Sequence, residues 1–211
     1  MRSKTLRIAY KVFFGLLGFS AIVTELATVA ERGKLNPVNF FSYFTIQNNL
    51  LMVVVFLLSA LYMAAGKSPR WLDTLRGAAG VYILVVGIAF SVLLAGRKGV
   101  GLTAVFWDNT VLHYLIPLAA LLDLMLDLPQ HKLRFSQSLL WLLYPVAYLA
   151  YSLIRGAITG WYPYPFLNPH PNGYGAIALV ALGLLILTLL LVWGVCWLSG
   201  QLLTNGVDTH E

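Results

Sequence analysis

Six stretches of apolar residues, each long enough to cross a bilayer, leave this chain few ways to fold. They cover residues 8–30, 39–65, 77–95, 104–127, 135–158 and 174–200. A membrane-spanning helix takes about 20 mostly apolar residues. Six of them with short connections use nearly all of the 211 residues. The expectation is an all-α fold: a single integral membrane domain over 1–211, built as a six-span transmembrane helical bundle. The runs are continuous and lack the alternation of outer-membrane strands, which excludes a β-barrel. Charged residues are only 10% of the chain and apolar residues 59%. That balance excludes a disordered chain, and a soluble globule of this length could not hide so much apolar surface. Cys196 is the single cysteine, so no internal disulfide framework exists.

The first run follows Arg2, Lys4, Arg7 and Lys11 and ends in Ala27-Thr28-Val29-Ala30, as a cleaved signal peptide could. It is too long for a signal core and contains Glu25, so a retained span is expected. Lys and Arg in the short loops set direction. One side holds nine: Arg2, Lys4, Arg7, Lys11, Lys67, Arg70, Arg76, Lys132 and Arg134. The other holds four: Arg32, Lys34, Arg97 and Lys98. Both termini are therefore expected in the cytoplasm, with the chain in the cell (inner) membrane. The 31–38, 96–103 and 159–173 loops then face outward, and Trp161-Tyr162-Pro163-Tyr164-Pro165-Phe166 suits an aromatic belt. The +6 charge reports this topology and implies no nucleic-acid partner.

A charge at the centre of a span costs about 2.5–3.5 kcal/mol on insertion scales, so polar groups inside spans are functional candidates by default. Thr45 is expected about 9 Å down from a helix start at Asn39, with Asn48 and Asn49 on the same face at i+3 and i+4. His113 is expected about 13 Å deep in the fourth span, one turn below Asn109, with Asp108 near the outer interface. Glu25 and Arg155 fall near the outer ends of the first and fifth spans. These residues gather in one outward half as a polar cavity. The inner half is expected to hold little beyond Asp123 and Asp127 near the interface. Each residue also has a structural reading. A Thr can bond its own i−4 carbonyl, asparagines can join helices, and Glu25 with Arg155 could be an ion pair. Pro117, at i+4 from His113, deprives the His113 carbonyl of its helical partner. Gly15, Gly18 and Ala21 form a small-residue stripe that could pack within the chain or between chains.

Asn39-Phe-Phe-Ser-Tyr-Phe-Thr45-Ile-Gln-Asn-Asn-Leu-Leu51 resembles the second-span motif of the androgen-induced protein family and its bacterial membrane relatives. Trp107-Asp-Asn-Thr-Val-Leu-His113-Tyr-Leu-Ile-Pro117 resembles its fourth-span motif. Tyr144-Pro145, Tyr148, Ser152-Leu-Ile-Arg155-Gly156 and Gly160-Trp-Tyr-Pro-Tyr-Pro-Phe166 resemble the closing stretch of the bacterial branch. The likeness covers nearly the whole chain. It implies a multipass threonine hydrolase of fatty acid esters of hydroxy fatty acids, with Thr45 and His113 as its catalytic pair. Membrane lipids and a lipid ester are the implied partners, with no cofactor.

A Thr hydroxyl needs a base within hydrogen-bond reach to attack a carbonyl, and His113 can serve as that base and later protonate the leaving alkoxide. Asn109, Asp108 and Glu25 are candidates to orient the imidazole. Asn48, Asn49, Arg155 and Tyr162 are candidates for oxyanion donors. The main alternative is a small-solute or lipid transporter or binding protein using the same cavity; a scaffold role, with polar groups serving only helix packing, is a further one. One His within a span cannot give bis-His haem ligation, and His113, Asp108 and Glu25 lack zinc-ligand spacing, so no metal is expected. No span interior holds the Lys a retinal protein needs, and Gly18-Phe19-Ser20-Ala21 lacks the second Gly of an intramembrane serine protease. His170 reads as a lid or surface residue, and His131 and His210 as solvated.

Overall fold

A computed structural model describes residues 3–96, 105–127 and 129–205. Arg2, Arg97, Lys98 and His210 lie outside the described residues. The chain is all-α there, with six helices long and apolar enough to cross a membrane. They are α1 (Lys4–Glu31), α3 (Phe44–Ala64), α4 (Arg70–Leu94), α5 (Phe106–Leu126), α6 (Phe135–Thr159) and α7 (Gly173–Gly200). A short helix, α2 (Pro37–Phe41), precedes α3.

The core lies among α1, α3, α4 and α5, where Ala21, Val55, Phe56, Ile83, Leu112 and Ile116 are almost fully buried. The small-residue stripe of α1 packs on α3 within the chain: a Cβ on Gly15 would sit 3.0 Å from Leu57, and one on Gly18 would sit 3.1 Å from Val53. The outer faces of α6 and α7 keep Ile154, Ile158, Leu179 and Leu190 exposed, as lipid-facing positions require.

Helix α6 docks through side chains rather than close backbone packing. Tyr144, Tyr148 and Tyr151 stand at i, i+4 and i+7 and hydrogen-bond across to the α2–α3 region. Tyr144 donates to Gln47 Oε1 at 2.7 Å, Tyr148 to the Ser42 carbonyl at 3.0 Å, and Tyr151 meets Ser42 Oγ at 2.7 Å. Phe44 stacks on the Tyr144 ring and lies tilted against the Tyr148 ring. Pro145 has no N–H for the Trp141 carbonyl, and Tyr82 supplies the missing donor at 2.7 Å. The segment before Pro145 tightens into a 3₁₀ turn over Leu139–Leu142.

Two expectations need correction. The second span does not run unbroken from Asn39. Asn36 caps α2, Pro37 starts it, and the chain breaks at Ser42 and Tyr43 before α3 begins. Thr45 therefore lies in the first turn of a new helix, not 9 Å down an old one.

The second correction concerns the end of the bundle opposite Thr45. Asp123 and Asp127 there are not isolated interfacial acids. Lys11, fully buried, pairs with both, at 2.8 Å to Asp127. Arg76 reaches Asp123 at 2.8 Å and Asp127 at 3.2 Å, and Arg7 reaches Asp127 at 2.8 Å. Burial alone would raise the Asp127 carboxyl, but Lys11, Arg76 and Arg7 outweigh it and hold it below the usual range. Asp73 extends the cluster, 3.7 Å from Arg76 and 2.8 Å from His131 Nδ1, so His131 is tethered rather than merely solvated. Three of the cations read as loop charges thus form a buried ionic network. The reason is complementary spacing: Arg7 with Lys11, and Asp123 with Asp127, both stand at i, i+4 on facing helices.

Candidate active site

The site forms where α3 begins and where α4 and α5 each depart from α-helical winding. The cap residue of α3, Tyr43, makes no side-chain cap, so the first N–H groups of the helix need other partners. Two tyrosine hydroxyls provide them. Tyr148 accepts from the Phe44 N–H at 3.2 Å, and Tyr164 accepts from the Thr45 N–H at 3.1 Å. Thr45 is held at the positive end of the helix by these contacts.

In α5 the missing N–H of Pro117 is absorbed by a π turn over Val111–Leu115, closed by an Ile116 N–H to Val111 carbonyl bond. A second π turn, Phe90–Leu94, lies in α4 and closes with Ala95 N–H to the Phe90 carbonyl at 2.8 Å. The two meet: the Phe90 ring stacks on the His113 imidazole, with centroids 3.8 Å apart at 21°. Gly87 allows this approach. A Cβ there would lie 2.9 Å from Pro117 Cβ and 3.1 Å from the His113 carbonyl oxygen. Gly87→Ala should therefore overpack the contact and lower stability by about 1–3 kcal/mol, read as a lower Tm in detergent; an unchanged Tm would refute this account of the close approach.

His113 Nε2 lies 3.4 Å from Thr45 Oγ1, and Nδ1 lies 3.1 Å from the Asn109 carbonyl oxygen. A carbonyl can only accept, so Nδ1 carries the proton. Nε2 of the neutral ring is then left as an acceptor facing the Thr45 hydroxyl. The contact is long for a hydrogen bond. Asn109 thus orients the ring through its backbone rather than its amide. Both Thr45 and His113 are buried.

The other sequence candidates divide. Asn49 donates to the Thr45 carbonyl at 2.9 Å and to the Leu112 carbonyl at 3.2 Å, tying α3 to α5 beside the Thr–His contact. Asn48 donates to the Phe44 carbonyl at 2.7 Å and to the Tyr144 hydroxyl at 3.4 Å. Both amides are spent, so neither presents a free donor to an oxyanion. Arg155 donates to Asn39 Oδ1 at 2.6 Å and covers the Trp161 ring at 4.6 Å. It lines no cavity beside Thr45. Tyr162 packs against Gly156, where a Cβ would collide with its ring. Asp108 is fully buried and lies within interaction range of Glu25 and Arg32, while the imidazole nitrogens meet Thr45 and the Asn109 carbonyl instead.

Sequence reasoning missed Tyr164. Its hydroxyl lies 3.2 Å from Thr45 Oγ1. It sits between Pro163 and Pro165 in extended backbone, with φ −135° and ψ 144°, as a residue before proline prefers. Tyr162 packs on Gly156, and Tyr164, two residues on, reaches Thr45. The Tyr-Pro-Tyr-Pro spacing was the available signal.

Thr45 and Tyr164 stand on a partition. On one side is an apolar cavity of about 270 Å³ between α4, α6 and α7, lined among others by Val86, Phe90, Leu149, Leu167 and Leu185. On the other is a polar cavity of about 360 Å³, which His113 also lines, with Glu25, Arg32, Lys34 and Asn39 around it. Among the described residues no group of three His, Cys, Asp or Glu is placed to hold a metal ion. Comparison with protein-family models, with curated proteins and with solved structures gives no match to this chain.

Proposed function

We propose that this chain is an intramembrane hydrolase of lipid esters, of the kind that the resemblance to the androgen-induced protein family and its bacterial relatives implies. One observation carries the reading: a Thr hydroxyl faces an unprotonated imidazole nitrogen at the boundary of an apolar and a polar cavity. An ester of a fatty acid with a hydroxy fatty acid has an apolar arm for one chamber and a polar remainder for the other. Its carbonyl would then lie beside Thr45.

The chemistry follows from the atoms present. Thr45 Oγ1 attacks the ester carbon while its proton passes to His113 Nε2. Collapse of the tetrahedral intermediate breaks the bond to the alcohol oxygen, which takes the proton from Nε2. Water then attacks the acyl-threonine with His113 again as base, and the departing Oγ1 recovers a proton. Asn109 holds the tautomer throughout.

The excess of Lys and Arg on the α1 amino end and the 66–76 and 128–134 loops supports a cytoplasmic placement of both termini in the bacterial inner membrane. The site then opens to the outer half, where lipid esters can arrive sideways. A transporter reading is less well supported, because a buried ionic network ties α1, α4 and α5 together at the opposite end of the bundle.

The direct test is an alkyl fluorophosphonate. Intact mass should gain one adduct, peptide mapping should place it on Thr45, and Thr45→Ala should lose it. An adduct confined to other residues, or none, would refute the Thr nucleophile.

A further inference from the structure

A tetrahedral oxyanion needs donors aimed at it from the start; the asparagine amides are bonded to carbonyls and to Tyr144, and neither Arg155 nor Tyr162 lines the two cavities that Thr45 borders. We propose that Tyr164 is a catalytic residue of this site, donating its hydroxyl proton to Thr45 Oγ1 at rest and to the ester carbonyl oxygen in the tetrahedral intermediate. This rests on the hydrolase reading of Thr45 and His113.

The directions of the hydrogen bonds are fixed from both ends. At one end the Thr45 backbone N–H can only donate, so the Tyr164 oxygen accepts it at 3.1 Å. That leaves the Tyr164 proton free to point at Thr45 Oγ1, 3.2 Å away. At the other end the Asn109 carbonyl can only accept, so His113 Nε2 accepts from Thr45. The chain therefore runs one way: Tyr164 O–H to Thr45 Oγ1, Thr45 O–H to Nε2, and Nδ1–H to the Asn109 carbonyl. Tyr164 both directs the Thr45 proton toward its base and holds a donor beside the nucleophile.

On attack the Thr45 oxygen bonds to the ester carbon, and the carbonyl π electrons move to the carbonyl oxygen. That oxygen shares its carbon with Oγ1, so the Tyr164 proton reaches it by a small rotation about the Cζ–O bond. No proton leaves Tyr164, and the donor is recovered when the C=O reforms. Burial pushes the Tyr164 hydroxyl up to about 12, so it stays protonated at neutral pH and serves as donor rather than base.

The ring is held in advance of any substrate. It is buried, stacks on Phe166 with centroids 5.1 Å apart at 4°, and meets Tyr43 edge-on at 5.6 Å. A fixed donor in a dry site is the arrangement that stabilises developing charge best.

The test uses the full chain in detergent or nanodiscs with a chromogenic long-chain ester, alongside Thr45→Ala. Tyr164→Phe removes one hydroxyl, and kcat should fall about 10²–10³-fold with KM little changed. A ring-fluorinated tyrosine at 164, whose hydroxyl is more acidic, should restore activity at low pH and move the alkaline limb of the pH–rate profile downward. A purely structural role would not move that limb. An active parent with inactive Thr45→Ala and fully active Tyr164→Phe overturns the Tyr164 role alone, as does an unmoved alkaline limb. Wild-type turnover that survives Thr45→Ala, or an inert and unlabelled wild type, overturns the hydrolase reading and this proposal with it.

Discussion

His113→Ala should lower lipid-ester turnover by about 10²–10⁴-fold, the usual contribution of a positioned general base. Thr45→Ala should reduce it at least as far, and the double variant should fall no further than the weaker single, because the pair acts as one unit. The geometry makes the expectation specific. With the imidazole gone, no base faces Oγ1, and the Thr45 hydroxyl is too weak a nucleophile unaided. The folded state should survive. His113 makes its two hydrogen bonds within the site, and the α3–α5 tie through Asn49 is untouched. Steady-state kinetics and thermal unfolding in the same detergent give both readings together. Full activity in either variant would refute the pair, and so would losses that simply multiply in the double variant.

Asp123→Ala should be among the most destabilising single changes, at about 3–5 kcal/mol. Asp123 serves Lys11 through one oxygen and Arg76 through the other. Its removal leaves Lys11, fully buried, with Asp127 as its remaining carboxylate, and Asp127 already meets Arg7 and Arg76. Uncompensated buried charge is what makes such a change costly. A double replacement, Lys11→Met with Asp123→Leu, removes one charge of each sign and should cost less than the single. Denaturant or thermal unfolding in detergent would show the order. A single variant as stable as the parent, or a double less stable than the single, would refute the network's role.

The spans were readable because a bilayer admits only long apolar helices, and their centres fall where the runs fall. The ends were less so. Arg70–Arg76 counted as loop because charge there looked like topology, yet Arg76 enters α4 by pairing with acids from α5. Partners that meet only across helices leave no local pattern beyond the paired i, i+4 spacings. Thr45 and His113 stood out because so little polarity lies inside the spans. Tyr164 did not, because it sits in a loop with three other aromatic residues, and its contact with Thr45 is made across the fold and leaves no local pattern.

The ionic network has a mechanical consequence. Charges locked together at one end of the bundle act as the spring of a clothes-peg. Helices pinned there cannot separate without exposing buried ions, so any breathing of the bundle must occur at the jaws, the end that carries Thr45. Helix α6 takes no part in that spring: it is held at the jaws, by its tyrosine hydroxyls and by Arg155 on Asn39.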